Sequence, residues 1–356
     1  MALSDRRAVV VGAGAVGSFV GACLALGGWD VTLLRRSGGD EVPVRLEVVE
    51  PGGGRRAANV TQVGWEHVGP VAPDLLVFAV KMFDLRDALA SAARWPVATT
   101  LTVENGIGAE ELAAELRPTA ALVAGSLTTS VERRGAEVRR LTRGGLGLAV
   151  ASAGASGDAV AFVGRLAGSL AASGLRARSY PDARAMKWSK LVANLVANAT
   201  SALLDWEPGR VYADPRTFAI DRQQLVEALR VMRALRLRPV GLPGTPVPLL
   251  AGAARLPPWL ARPLLRRVVG GARGGKPPSL QGHLQAGGGP SEAAWLNGAV
   301  VRAGSGCGVD APVNRALTRL MEEASADPER RRWLRGHPER LEAEVRTEAA
   351  PGRRGR

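Results

Sequence analysis

Over the first half of the chain, short apolar runs alternate with mixed stretches, and the alternation stops near residue 180. Ala8-Val9-Val10-Val11, Val31-Thr32-Leu33-Leu34, Leu75-Leu76-Val77-Phe78-Ala79-Val80, Thr99 to Val103 and Ala120 to Ala124 read as strands. The continuous runs are of the kind buried on both faces of a parallel sheet. Helices are expected after the first strand, over Asp84 to Ala93 and over Ala109 to Leu116, and short β segments over Val44 to Val49 and Asn59 to Val63, around Gly52-Gly53-Gly54. Leu127 to Val150 adds antiparallel strands, and a helix over Asp158 to Ala172 with a strand near Leu175 to Ser179 completes the unit. Strands alternating with helices specify a doubly wound α/β sheet.

From Pro181 the pattern changes to long helical segments. Asp182 can cap a helix that runs from Ala183 to Leu204 without Gly or Pro, and further helices are expected at Pro215 to Leu235, Leu249 to Val269, Ser291 to Ala303 and Pro312 to Ala324. The reading is an α/β domain over 1–180, an all-helical domain over 181–326, and a basic, frayed tail over 327–356. Pro239 to Pro278 is rich in Pro, Gly and Arg and has little to fix its register, which suits a mobile cover or a poorly specified segment.

At 356 residues, two domains are the default expectation. The formal charge of +14 raises nucleic acid as a partner, but arginine is spread over the chain and aromatics are only 4% of it, so specific nucleic-acid binding is not expected. Ala8 to Trp29 carries no charge and is long enough to span a bilayer. Its six glycines and the strand that follows argue instead for a cytoplasmic protein with no membrane association. Cys23 and Cys307 match no metal or redox spacing, Cys23 reading as a small apolar core residue, and the three histidines are scattered, so no metal site is expected.

The candidate chemistry begins with Gly12-Ala13-Gly14-Ala15-Val16-Gly17, set between the first strand and a helix. That order is the context in which such a motif cradles a dinucleotide, with a tight turn, a close backbone approach to the pyrophosphate, and free amides at the helix start. Arg35 and Arg36 end the second strand where an acidic residue would hold the ribose of NAD, and point to the 2′-phosphate of NADP; two surface arginines are the alternative. Val80-Lys81 and Glu104-Asn105-Gly106 end two further strands, on the rim where ligands gather in open α/β sheets. Lys190, Asn194 and Asn198 step by four and form a polar stripe amid Leu191, Val192, Leu195 and Val196, facing either a cleft or solvent.

Together with Ser291-Glu292-Ala-Ala-Trp-Leu-Asn297-Gly298, these motifs resemble the 2-dehydropantoate 2-reductase (ketopantoate reductase) family over about Arg7 to Met321. The resemblance implies a Rossmann domain, an all-helical domain, and NADPH-dependent reduction of a 2-keto acid between them, converting 2-dehydropantoate to (R)-pantoate. It implies Lys190 as general acid facing the nicotinamide, Glu292 accepting a substrate hydroxyl or helping to orient Lys190, and touching the cofactor, Asn194, Asn198 and Ser279 on the substrate, and Lys81 and Asn105 where cofactor and substrate meet. Glu104 stands where the family commonly has glutamine, His283 where it has aspartate, and Gly287-Gly288-Gly289 is looser than the family's loop. These departures leave open a reductase of another 2-keto acid or ester; a non-catalytic NADP-binding sensor is the alternative from a different class. A homodimer is one option for an assembly that the sequence leaves open.

Overall fold

The computed structural model describes residues 6–69, 72–118, 120–152, 157–270 and 277–350. The chain divides into two compact units, one running to Lys187 and including Leu242–Thr245, the other made of Trp188–Gly241 and the residues from Pro246 onward.

The first unit is built on an eleven-stranded sheet: β1 (Arg7–Val11), β2 (Asp30–Arg35), β3 (Val42–Val49), β4 (Arg55–Gly64), β5 (Leu75–Phe78), β6 (Thr99–Thr102), β7 (Ala121–Leu127), β8 (Val131–Arg134), β9 (Glu137–Arg140), β10 (Gly145–Val150) and β11 (Arg176–Ser179). The spatial order is β11-β10-β7-β6-β5-β1-β2-β4-β3-β9-β8. From β7 through β6, β5, β1 and β2 to β4 every pairing is parallel; β3–β4, β8–β9 and β7–β10 pair antiparallel. Val10, Leu75, Val77 and Leu101 are fully buried, as central parallel strands require. Of the helices α1 (Ala15–Leu26), α2 (Leu85–Ser91), α3 (Ala109–Leu116) and α4 (Gly157–Ala172), α1 and α4 pack together over the sheet, and α3 packs on β6, β7 and α2. The uncharged stretch from Ala8 to Trp29 is thus a strand, a turn and a helix; among the described residues no helix is long and apolar enough to cross a membrane.

The second unit is helical: α5 (Ala183–Leu195, whose first turn belongs to the first unit), α6 (Asn198–Leu204), α7 (Pro208–Ala213), α8 (Pro215–Ala234), α9 (Val247–Arg255), α10 (Pro258–Gly270), α11 (Ser279–Gln285), α12 (Asn297–Gly306), α13 (Pro312–Ala326), α14 (Pro328–Leu334) and α15 (Pro338–Ala349). Three expectations are corrected. The helix expected unbroken from Ala183 to Leu204 is interrupted at Ala197, which is left-handed at φ +48°. The segment from Pro239 folds into α9 and α10, broken at Leu256-Pro257, while 271–276 lie outside the described residues.

The third concerns the tail, which is helical as far as it is described. Leu334, Leu341 and Val345 are buried, and Arg319 and Arg330 each bridge Glu323 and Glu344. Arg330 of the tail is matched by Glu323 of α13 and Glu344 of α15, which the packing of the helices brings beside it, so the segment packs instead of fraying.

Candidate active site

The glycine turn joins β1 to α1, and its three glycines stand in different surroundings. Gly12 has φ +104°, and a Cβ there would lie 2.6 Å from the Ala79 carbonyl oxygen. A Cβ on Gly17 would lie 1.9 Å from the Gly12 oxygen, so packing excludes any larger residue. Gly14 is exposed, and a Cβ there would meet nothing within 4 Å. No contact within the protein demands glycine at position 14, whereas a ligand approaching the backbone would. Gly14 is also the N-cap of α1, whose first amides receive no side-chain cap. An anion fits that place.

The adjacent parallel strands β6, β5, β1 and β2 carry Asn105, Lys81, the glycine turn and Arg35 beyond their carboxyl ends, so the first unit brings these predicted residues onto one rim. Arg35 is half-buried, and its Nε is buried without a hydrogen-bond partner. Arg36 is exposed and pairs with Asp84 at 2.6 Å. Lys81 is exposed and Asn105 half-buried. Arg35 and Arg36 thus differ in surroundings: Arg36 is matched by a carboxylate, whereas Arg35 has none beside it among the described residues.

Sequence reasoning missed a buried ionic cluster behind this rim. Lys187 Nζ donates to the Glu104 carbonyl oxygen at 2.8 Å and pairs with Glu110 at 2.9 Å, and Glu110 also accepts from Thr102 Oγ1. Glu104 Oε1 accepts from the Val80 amide at 3.2 Å, while Oε2 is buried with no partner. Two carboxyl groups share one ammonium, and Glu110 holds the direct ion pair. Burial, only partly offset by Lys187, pushes the Glu104 carboxyl up from 4.5 to about 8. At neutral pH it is a carboxylic acid, with the shape and neutrality of glutamine. The departure from glutamine was visible in the sequence; the burial that neutralises it was not.

In the second unit Lys190 and Asn194 lie one turn apart on α5, both half-buried. Asn198 does not continue their stripe, because the helix breaks before it. The break is held by side chains far along the chain: Asp221, fully buried, accepts from the Ala197 amide at 3.0 Å, from Thr200 Oγ1 at 3.0 Å and from the Tyr212 hydroxyl, and Gln224 Nε2 donates to the Leu195 carbonyl at 3.1 Å. The backbone groups freed by the break are thereby satisfied. Asn198 turns to α11, donating to Ser279 Oγ at 3.2 Å and accepting from the Leu280 amide at 3.1 Å. Two residues predicted on the substrate are therefore neighbours, Asn198 buried and Ser279 exposed. Glu292 is buried in a single 3₁₀ turn behind Ser291, whose hydroxyl caps it. Asn297, which follows, joins Gln224 and Asn314 in a polar network extended by Glu227.

A parallel sheet with a ligand-ready glycine turn, followed by a helical unit carrying a lysine and amides, defines a Rossmann-type dinucleotide-binding protein with a second, substrate-type domain. Residues 8–152 match the family model described as "Ketopantoate reductase PanE/ApbA", and residues 182–325 that of "Ketopantoate reductase PanE/ApbA C terminal". The chain belongs to the ketopantoate reductase family and by that membership is an NADP-dependent oxidoreductase. It is 30% identical over 232 residues to the 2-dehydropantoate 2-reductase of Halobacterium salinarum, covering 64% of this chain and 75% of that one. To the enzyme of that name from Archaeoglobus fulgidus it is 24% identical over 330 residues, covering 89% and 97%. In fold it is similar to a PanE/ApbA family ketopantoate reductase from Ralstonia eutropha JMP134, with a TM-score of 0.70 at 23% identity, covering 90% of this chain and 98% of that one. D-mandelate dehydrogenase, solved with NADH and anilino(oxo)acetate, shares the fold with a TM-score of 0.72 at 20% identity over the same shares.

Proposed function

We propose that the chain reduces 2-dehydropantoate to (R)-pantoate with NADPH. The reading rests on Lys190, half-buried one turn from Asn194 on a helix otherwise apolar around them. NADPH, when bound, supplies the hydride. The glycine turn and the α1 amides hold its pyrophosphate, Arg35 its 2′-phosphate, and Lys81 and Asn105 the nicotinamide end. Lys190 donates a proton from Nζ to the ketone oxygen of the substrate as negative charge builds there, so one group both stabilises and quenches that charge. Asn194 and Ser279 hold the polar groups of the keto acid, Asn198 positions Ser279, and Glu292 accepts a substrate hydroxyl. In this reading residues 1–180 bind the nucleotide and 181–326 the keto acid.

Lys190→Ala should leave NADPH binding within a few-fold of wild type while kcat falls by about two to four orders of magnitude. Binding titrated by fluorescence and turnover followed by NADPH absorbance separate the two effects; undiminished kcat would remove Lys190 from the chemistry. A second reading, reduction of another 2-keto acid or ester, is favoured by His283 and by the glycine loop that follows it. There His283 Nε2 lies 3.3 Å from the Gly289 oxygen, and Gly287, Gly288 and Gly289 all have positive φ. A panel of keto acids offered with NADPH decides, and a clear preference for another acid would retire 2-dehydropantoate.

A further inference from the structure

The hairpin formed by β8 and β9 returns an arginine to the glycine turn. Arg133 Nη1 donates to the Ala13 carbonyl and, at 2.7 Å, to Ser18 Oγ in the first turns of α1; its Nε donates to the Gly135 carbonyl at 2.8 Å. The side chain is thus fixed on three sides, while Nη2 has no partner among the described residues. Arg35 lies close enough that its charge, added to burial, lowers the proton affinity of Arg133. Most of the chain's arginines near an acid are paired with it, including Arg36 next in sequence, but neither Arg35 nor Arg133 has a carboxylate partner among the described residues.

Both residues flank the same turn, since Ala13, whose carbonyl accepts from Arg133, donates its own amide to the carbonyl of Leu34, the residue before Arg35, at 3.1 Å. Two partly buried cations there without a carboxylate partner repel each other, and an anion between them relieves both. We propose that Arg133 is a second anion-binding residue of the first unit and, with Arg35, holds the 2′-phosphate of NADPH. The proposal rests on the cofactor reading above. Arg35 supplies the location, since the end of β2 is where the ribose hydroxyls of a dinucleotide lie. Arg133 supplies rigidity: its anchorage on Ala13 and Ser18 fixes the guanidinium relative to the turn that receives the pyrophosphate, so two phosphate sites share one frame. NADH presents a hydroxyl there and leaves the two cations uncompensated.

The test is equilibrium binding of NADPH, NADH and the fragment 2′,5′-ADP to wild type, Arg133→Met, Arg133→Lys, Arg35→Met and the double variant. Arg133→Met should weaken NADPH and 2′,5′-ADP by about tenfold or more and NADH by less than about threefold. The two single losses should combine non-additively in the double variant, because both groups act on one phosphate. Arg133→Lys should recover part of the loss, and its apo melting temperature, compared with that of Arg133→Met, reports whether the turn itself has been damaged. Equal weakening of NADPH and NADH would make Arg133 a scaffold of the turn and overturn the proposal, as would unchanged NADPH binding. Wild type that prefers NADH would instead overturn the cofactor reading, before any variant is considered.

Discussion

Glu104→Gln tests the buried acid directly. In the folded chain the carboxyl holds its proton up to about pH 8, whereas its ordinary value is 4.5. The folded state therefore prefers the protonated form. The group's contribution is best below pH 4.5, worsens steadily as pH rises to 8, and stays at its worst above that. Each pH unit across the span is worth about 1.4 kcal/mol, so the full penalty is about 5 kcal/mol, of which about 3 kcal/mol is present at pH 7 and about 1 kcal/mol at pH 5. Glutamine has the same shape, can keep the acceptor for the Val80 amide, and does not ionise. It leaves Lys187 paired with Glu110. The variant should therefore gain stability over wild type progressively from pH 5 to pH 9, by about 4 kcal/mol across that range, whatever constant offset its amide adds at the site of Oε2. Urea unfolding of both proteins at several pH values measures it. A stability difference that does not change with pH would show Glu104 to be ionised throughout, with burial failing to hold its proton.

Other perturbations probe the site's frame. Asp221→Ala should cost about 3 to 5 kcal/mol, because Ala197, Thr200, Tyr212 and Gln224 lose their shared acceptor in a fully buried place; a cost under about 1 kcal/mol by denaturant unfolding would mean that the break in the helix does not depend on it. Gly14→Ala should fold with wild-type stability yet bind NADPH about tenfold or more weakly, whereas Gly17→Ala should lose about 3 kcal/mol or fail to fold, since its Cβ collides with backbone. Calorimetry of the pair separates ligand contact from packing, and identical behaviour would undo that distinction. Ending the chain after Ala326 should lower stability by about 5 kcal/mol through loss of Leu334, Leu341 and Val345 from the core, and an unchanged melting temperature would return α14 and α15 to the status of a dispensable tail.

What the sequence disclosed and what it concealed divide along a physical line. β1 and β5 were legible because a central parallel strand is apolar on both faces, and that shows in four or more consecutive residues, while β2 and β6 carry the β-branched Val and Thr that suit a strand. The glycine turn was legible for the same local reason. The helix break at Ala197 was not, because alanine is the best helix former and nothing within ten residues argues against it; the acceptor that stabilises the break is Asp221, 24 residues away. Ion pairs hid the tail: Arg330 with its neighbouring arginines reads as a solvated basic run until Glu323 and Glu344 are brought to it by folding. Arg133 was one arginine of a pair in a hairpin, with no local sign that it reaches back 115 residues to Ser18.

The site's concealed parts have one feature in common. Asp221 holds the break that directs Asn198 to Ser279, Arg133 holds the turn that receives the pyrophosphate, and Glu104, through Val80, ties the end of β5 to the loop that bears Asn105. Each is a polar or charged group joining segments remote in sequence, and each has at least one main-chain partner. Groups of that kind carry no local pattern, since their partners lie far along the chain. In the proposed reading the motifs legible in the sequence meet ligand, whereas among the hidden groups Asp221 and Glu104 fix where those motifs stand and Arg133 both anchors the turn and meets the 2′-phosphate. Changes in the second set should therefore move pH dependence, cofactor preference or stability, while the first set decides whether turnover occurs at all.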